Sequence, residues 1–314
     1  MSSRDIMATN SNGSDPVDTY SDAELFKYIH RLRAQRPYQI LASSLVGISP
    51  AYVAKRYSCG EELRDVILAI DLAHSMNIRA PHVRRVVYQD DAYECIFDRV
   101  HGPNLMDCWA RLSWFTTLRL AFQLRRVVQR MRSQTSPTAG SLGTGMVRTF
   151  WLEDYYGIPP RSSSHVITSL VNFWYNSGTL KKERAKTKQA HEATCIGPIK
   201  QPQPLVFTHH DLAPRNLIMG PAGDLCIVDW DFAGWYPPFF EHAGMHHFPL
   251  PEGWGWMGII RWILFAWIAT GYWRKEREIL LRAQRNAIGD SIVRKYSIKA
   301  GVTPSTKLVT DPLV

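Results

Sequence analysis

The stretch Leu205–Gly234 constrains the fold of this chain more than any other. It sets His209-x-Asp211-x4-Asn216 after a short apolar run, and thirteen residues later a carboxylate, Asp229, ends another apolar run. Leu205, Val206 and Phe207 read as a strand that delivers His209 and Asp211 onto a loop, and Pro214 keeps that loop from becoming a helix. Asn216 closes the loop and opens a second strand, Leu217–Met219. Gly220–Asp224 supplies the turn, and Leu225–Val228 returns antiparallel, which brings Asp229 beside Asn216. Three polar groups thus meet at one mouth. A carboxylate can accept a hydroxyl proton, while an amide oxygen and a second carboxylate are hard ligands suited to magnesium. Such a set serves phosphoryl transfer, where positioning and charge neutralisation supply most of the rate.

These residues carry a resemblance. Thr208-His209-His210-Asp211, Pro214-Arg215-Asn216 and Val228-Asp229-Trp230-Asp231-Phe232-Ala233-Gly234-Trp235-Tyr236-Pro237 resemble the catalytic core of the aminoglycoside phosphotransferase family, a branch of the protein-kinase-like fold, and most of all its fungal members. Strand, HxDx4N, hairpin and VDW in that order form a specific combination. The resemblance runs with falling strength from about Ile48 to about Ala243. It implies Asp211 as catalytic base, and Asn216 and Asp229 as catalytic residues that hold magnesium. The family usually has Gly where His210 stands, and His210 is read as tolerated without a role. Glu241, after Trp235–Phe240, resembles the family's helix acid that hydrogen-bonds the catalytic loop.

Ahead of this core the pattern is that of strands. Tyr38–Leu41 and Ala51–Lys55 read as strands, and Val53-Ala54-Lys55 resembles the kinase V-A-x-K, which makes Lys55 the residue expected on the nucleotide phosphates. The loop Ala42–Ile48 is not a GxGxxG, so a phosphate cradle there falls to serines and backbone amides. Gly60–Asn77 reads as a helix. Glu62 and Asp65 both have the spacing to pair with Lys55, with Glu62 favoured for reach; counting back from Ile78-Arg79-Ala80-Pro81, the family's acid position falls on Val66. Arg84–Tyr88 and Tyr93–Arg99 form a hairpin through Gln89-Asp90-Asp91. Phe97–Gly102 resembles the family's hinge, with adenine expected on the backbone at Asp98 and Val100.

The rest is mainly helical. Leu105–Leu112 and Phe115–Arg132 read as helices, the second with Leu118, Ala121, Phe122, Leu124, Val127, Val128 and Met131 inward and its arginines solvated. Gln134–Arg161, rich in Gly, Pro and Ser, reads as a long loop ordered by Trp151 and Tyr155, placed to shape an acceptor pocket. Val166–Tyr175 is apolar, and Lys181–Lys188 carries five basic residues in eight. His242, His246 and His247 include an i, i+4 pair but lack a third ligand of convincing spacing. Asp231 is left between assisting magnesium, touching substrate and a structural role. Trp256–Trp273 invites a membrane reading, but Arg261 sits inside it, and a buried helix of the larger lobe fits better.

Composition sets outer bounds. With 314 residues, 45% apolar and 21% charged, the chain reads as an ordinary globular protein. Five cysteines without a CxxC pattern point away from a disulfide framework or zinc site and suit a reducing, cytoplasmic setting. A net charge of +9 with dispersed basic residues suits phosphates better than nucleic acid. The expectation is therefore an α+β, bilobal protein-kinase-like fold: a tail over 1–20, an N-lobe over 21–100, a mainly helical C-lobe over 101–300, and a tail over 301–314. Its expected reaction is ATP- and Mg2+-dependent phosphorylation of a hydroxyl on a small molecule. The rivals are a nucleotide-binding pseudokinase scaffold, a protein kinase, which the missing glycine flap and A-P-E element disfavour, and a membrane-attached protein.

Overall fold

The computed structural model describes residues 15–35, 45–151, 158–184 and 198–288. The chain enters through α1 (Pro16–Thr19) and α2 (Asp22–Ala34). Ser21 caps α2, its side chain accepting from the Glu24 amide while Glu24 reaches back to the Ser21 amide, so two N-terminal donors are satisfied reciprocally. Strands β1 (Leu45–Gly47) and β2 (Tyr52–Tyr57), helix α3 (Gly60–Ser75), and strands β3 (Val83–Gln89) and β4 (Ala92–Asp98) follow. The four strands form one antiparallel sheet in the order β1-β2-β4-β3. Asp90 and Asp91 make the β3–β4 turn with φ of 52° and 56°, the left-handed pair that matches strand twist in a two-residue hairpin.

Strand alternation sorts the side chains of this sheet. Ala54, Val87 and Ile96 pack under α2 with Leu25, Phe26 and Ile29. Val53, Tyr57, Cys95 and Phe97 face the other way, toward Leu63, Val66 and Ile70 of α3. Lys55 lies between Val53 and Tyr57 on the period-two pattern and shares their face, looking into the interlobe cleft.

Gly102 begins the crossing to the second half at φ 138°, and a Cβ there would strike the carbonyl of Met219. Beyond it come α4 (Leu105–Cys108), capped by Asn104, a 3-10 turn (Trp109–Arg111), α5 (Trp114–Arg132), β5 (Thr135–Ser136) and α6 (Ser164–Arg184). Then follow β6 (Leu205–Thr208), a 3-10 turn (Pro214–Asn216), β7 (Leu217–Met219), β8 (Leu225–Ile227) and β9 (Gly234–Tyr236). The chain ends with α7 (Phe239–Gly244), a 3-10 turn (Glu252–Trp254), α8 (Gly255–Thr270) and α9 (Arg274–Ile288). Sheets β5-β6-β9 and β7-β8 carry the segments that hold Asp211, Asn216 and Asp229. One core runs between α5 and α8, where Trp109 packs on Trp254, Trp262 and Phe265 at ring separations of 5.5, 5.1 and 5.3 Å. Another joins α6, α7 and α9. A small antiparallel sheet with a helix, followed by a helical half, is the α+β kinase-like arrangement the sequence predicts.

Several expectations need correction. Residues 15–20 do not belong to a tail: Asp15 caps α1, Val17 is buried, and Arg85 donates to the carbonyls of Val17 and Tyr20. In α5 the inward residues are Thr117, Leu120, Ala121, Leu124, Val128 and Met131, whereas Leu118 and Phe122 face outward. Helix α8 is buried on one side only, and no helix among the described residues is long and apolar enough to cross a membrane. Tyr38–Leu41, Tyr155 and Thr303–Val314 lie outside the described residues, as does Cys195.

Candidate active site

Strand β6 ends at Thr208, and the next three residues are fixed from below by one buried carboxylate. Glu241 on α7 accepts the His209 amide at 2.7 Å and the His210 amide at 3.0 Å, the part the resemblance implies for it. Burial pushes its carboxyl up to about 7. Helix α7 lies so close to this loop that a Cβ on Gly244 would strike the His210 carbonyl. His209 is fully buried; its Nδ1 accepts the Asp211 amide at 3.3 Å, which leaves Nε2–H to donate to the Val228 carbonyl at 3.1 Å. Burial drives its pKa down to about 4, so the neutral ring ties the loop to the segment carrying Asp229.

His210 is not idle. Its φ of 73° explains why glycine suits this position in the family it resembles. The buried ring pairs with Thr149 at 2.7 Å and packs on Tyr236 and Phe240 at 4.6 and 5.5 Å, so it ties the 141–151 segment to the loop.

Asp211 has a 4% exposed side chain whose two oxygens differ. Oδ2 accepts from Arg215 Nη2 at 2.6 Å and from Asn216 Nδ2 at 2.9 Å. Oδ1 is buried and has no hydrogen-bond partner among the described protein atoms. Burial raises the Asp211 pKa against the opposing pull of Arg215. Asn216 also donates from Nδ2 to the Asp211 carbonyl, and its own carbonyl accepts the Val228 amide at 3.0 Å, so hairpin β7–β8 seats Asp229 next to it. Asp229 takes φ 68°, a left-handed conformation that costs a non-glycine residue energy and is found at functional positions.

Between the lobes lies a cleft of about 490 Å3. Leu45, Val53, Val66, Ile70, Phe97 and Ile218 give it apolar walls, and Lys55, Asn216, Asp229 and Asp231 stand in it. Lys55 Nζ contacts Asp229 Oδ1 at 2.5 Å and Asp231 Oδ2 at 2.7 Å. Burial alone would depress the Lys55 ammonium, but the two carboxylates reverse this and hold it charged. Tyr57 donates to Asp231 at 3.0 Å, and its ring lies 5.6 Å from Lys55 Nζ.

Neither of the two candidate acids on α3, Glu62 and Asp65, pairs with Lys55, which corrects the expectation for Glu62. Glu62 stands half-buried in the first turn, with no ion pair to Lys55 among the described residues. Asp65 turns the other way and accepts from Ser141, Thr144, the amides of Gly143 and Thr144, and Arg148, all within 2.8 Å. Burial would raise its pKa, but these donors win and hold it below the usual carboxylate range. Val66, where the family's acid position was counted, lines the cleft. Asp231 is the residue sequence reading left undecided; its period-two spacing from Asp229 was the only signal.

At the hinge, the Asp98 amide is taken by the His82 carbonyl at 3.0 Å and the Arg99 amide by Ala51 at 2.7 Å. The Val100 amide has no such partner among the described residues, and Asp98 and Val100 both line the cleft. His242 bonds Thr270 at 2.9 Å while His247 stacks on Phe150, and no group of three or more His, Cys, Asp or Glu among the described residues is arranged for a metal ion.

Among known proteins, residues 172–279 match the sequence profile of the phosphotransferase enzyme family, APH. A solved aminoglycoside phosphotransferase, APH(3'')-Id from Streptomyces rimosus in complex with ADP and streptomycin, is 16% identical, with 85% of this chain and 98% of that one covered at a TM-score of 0.47. The choline kinase LicA from Streptococcus pneumoniae is 14% identical, with 82% and 88% covered at 0.39. No curated protein matches by sequence.

Proposed function

We propose that this chain, whose residues 172–279 match the phosphotransferase enzyme family, transfers the terminal phosphoryl group of ATP to a hydroxyl of a small molecule. The observation that carries this reading is the asymmetry of Asp211. With Oδ2 fixed by Arg215 and Asn216, the buried and unpartnered Oδ1 is the remaining acceptor for an incoming hydroxyl proton. Burial raises the basicity of that carboxylate, while the Arg215 guanidinium pulls in the opposite direction.

The nucleotide fits the remaining features of the cleft. Adenine would lie between Val53, Val66 and Ile70, with the Val100 amide as donor and the Asp98 carbonyl as acceptor. Lys55 would meet the phosphates. Asn216 commits its Nδ2 to Asp211, which frees its amide oxygen, and Asp229 adds a carboxylate in the same cleft. Two hard oxygens without a closed cage suit magnesium, which is ordinarily shared between one or two carboxylates and substrate phosphates. When bound there, the metal would neutralise charge on the phosphate oxygens. The N-lobe would be the sheet and helices up to about residue 100 and the C-lobe the remainder.

A nucleotide-binding scaffold is the second reading, favoured by Val66 standing where an acid would hold Lys55. Magnesium-dependent ADP release by the purified protein, screened over small alcohols, separates the two. Replacing Asp211 by Asn should leave nucleotide affinity within about twofold and lower turnover by about 10³-fold. Unchanged turnover would remove Asp211 from the role of base.

A further inference from the structure

The C-terminal half carries an apolar face that the catalytic site does not use. On α8, Trp256, Ile260, Ile263 and Trp267 follow one another at helical spacings of four, three and four and are all exposed, with Met257 beside them. On α5, Phe115, Leu118 and Phe122 form a second exposed stripe, with Trp114 at its head. Phe115 is 78% exposed and Trp256 71%, values that no core role explains. The two helices lie side by side. Arg125 of α5 donates to the Ile268 carbonyl of α8 at 2.9 Å, and the Arg261 guanidinium lies 5.9 Å from the Trp114 ring. The stripes therefore border a common seam, and contiguous exposed patches of this kind mark binding surfaces.

Charge identifies what the face fits. Arg261, the only charged residue within α8, is turned inward, where it donates to the carbonyls of Leu112 and Trp109. The outward side of α8 is thus uncharged. Neither helix contains an Asp or Glu, and Arg119 and Arg126 are exposed along the α5 stripe, with Arg111 just ahead of it. The neighbouring carboxylates are Asp107 of α4, Glu252 of the 3-10 turn, and Asp224, which Arg79 pairs, in the β7–β8 turn that lies against Arg119. Tryptophans beside arginines on a carboxylate-free surface suit the boundary between anionic headgroups and acyl chains. At 16 residues, α8 is about 24 Å long, short of a hydrocarbon core of about 30 Å, so it would lie along a bilayer rather than cross it. Self-pairing across a two-fold axis would oppose the α5 arginines to their own copies.

We propose that the outer face of α5 and α8 docks on anionic phospholipid bilayers. The test is sedimentation of the full chain with vesicles of phosphatidylcholine alone or with about one third phosphatidylserine. Binding should be about tenfold stronger to the anionic vesicles and weaken with salt. The pair Trp256→Ser and Ile260→Ser should weaken binding about tenfold without moving the melting temperature, since both side chains are exposed. The pair Arg119→Glu and Arg126→Glu should abolish the preference for anionic lipid. Equal binding to both vesicle types, or patch variants that bind like the unaltered chain, would overturn the proposal. So would absence of binding, including the case in which light scattering shows a dimer that the serine substitutions dissolve.

Discussion

At the scale of single residues, the grip on Lys55 is the main departure from what the family resemblance implies. A helix acid is expected to hold the lysine, yet Val66 fills that place, and Asp229 together with Asp231, the latter steadied by Tyr57, does the holding. With Asp229 proposed to turn to magnesium, Asp231 would be the carboxylate left to orient Lys55 toward nucleotide phosphates. Substituting Asp231 by Asn should therefore raise the KM for ATP about tenfold, the loss of one charged hydrogen bond, while kcat falls less. Steady-state kinetics over a range of ATP concentrations check this, with partial recovery expected from Asp231→Glu. An unchanged KM would leave Asp231 without the positioning role. The HxDx4N spacing made Asp211, Asn216 and Asp229 legible in the sequence because a strand, a proline-stopped loop and a tight hairpin leave few ways to arrange them. Asp231 was not legible, because alternation places it on the right side of a strand without naming its partner.

At the scale of elements, hairpins were readable where turns are strong, as at Gln89-Asp90-Asp91. Which side of a helix is buried was not readable for α5 or α8. Both carry apolar residues around more than one face, and only the packing of one helix on the other decides which stripe is covered. Charged pairings between elements were equally silent. Glu94 on β4 has no exposed surface and accepts from Arg33 of α2 at 2.7 and 3.2 Å and from Arg56 of β2 at 2.7 Å. It bolts α2 to the sheet, and no spacing in the sequence announces a contact 61 residues apart. Glu94→Ala would strand two arginines and should lower the unfolding free energy by about 3 kcal/mol, measured by urea denaturation.

For the whole molecule, buried neutral histidines set the response to acid. His209, His210 and His242 have their pKa values lowered by burial to about 4, 3 and 4. In the unfolded chain they titrate near 6.5, so the stability they contribute is present above that value and is lost as pH falls toward 4. Each should give up about 2 kcal/mol between pH 7 and 5. Glu241 works in the opposite sense: with its folded pKa raised to about 7, stability rises as it takes up its proton on acidification over that range. Three histidines outweigh one carboxylate, so the urea midpoint should fall from pH 7 to 5. A midpoint that stays level or rises would contradict this.

The carboxylate of Asp65 sits on the first lobe, but its five donors come from residues 141–148 of the second. It acts as a clasp far from Gly102 in the chain, so the halves are fastened at two separate points. Separating them would expose a buried anion and orphan every donor around it. Any widening of the slot between them that moves residues 141–148 away from Asp65 would therefore have to break these five hydrogen bonds.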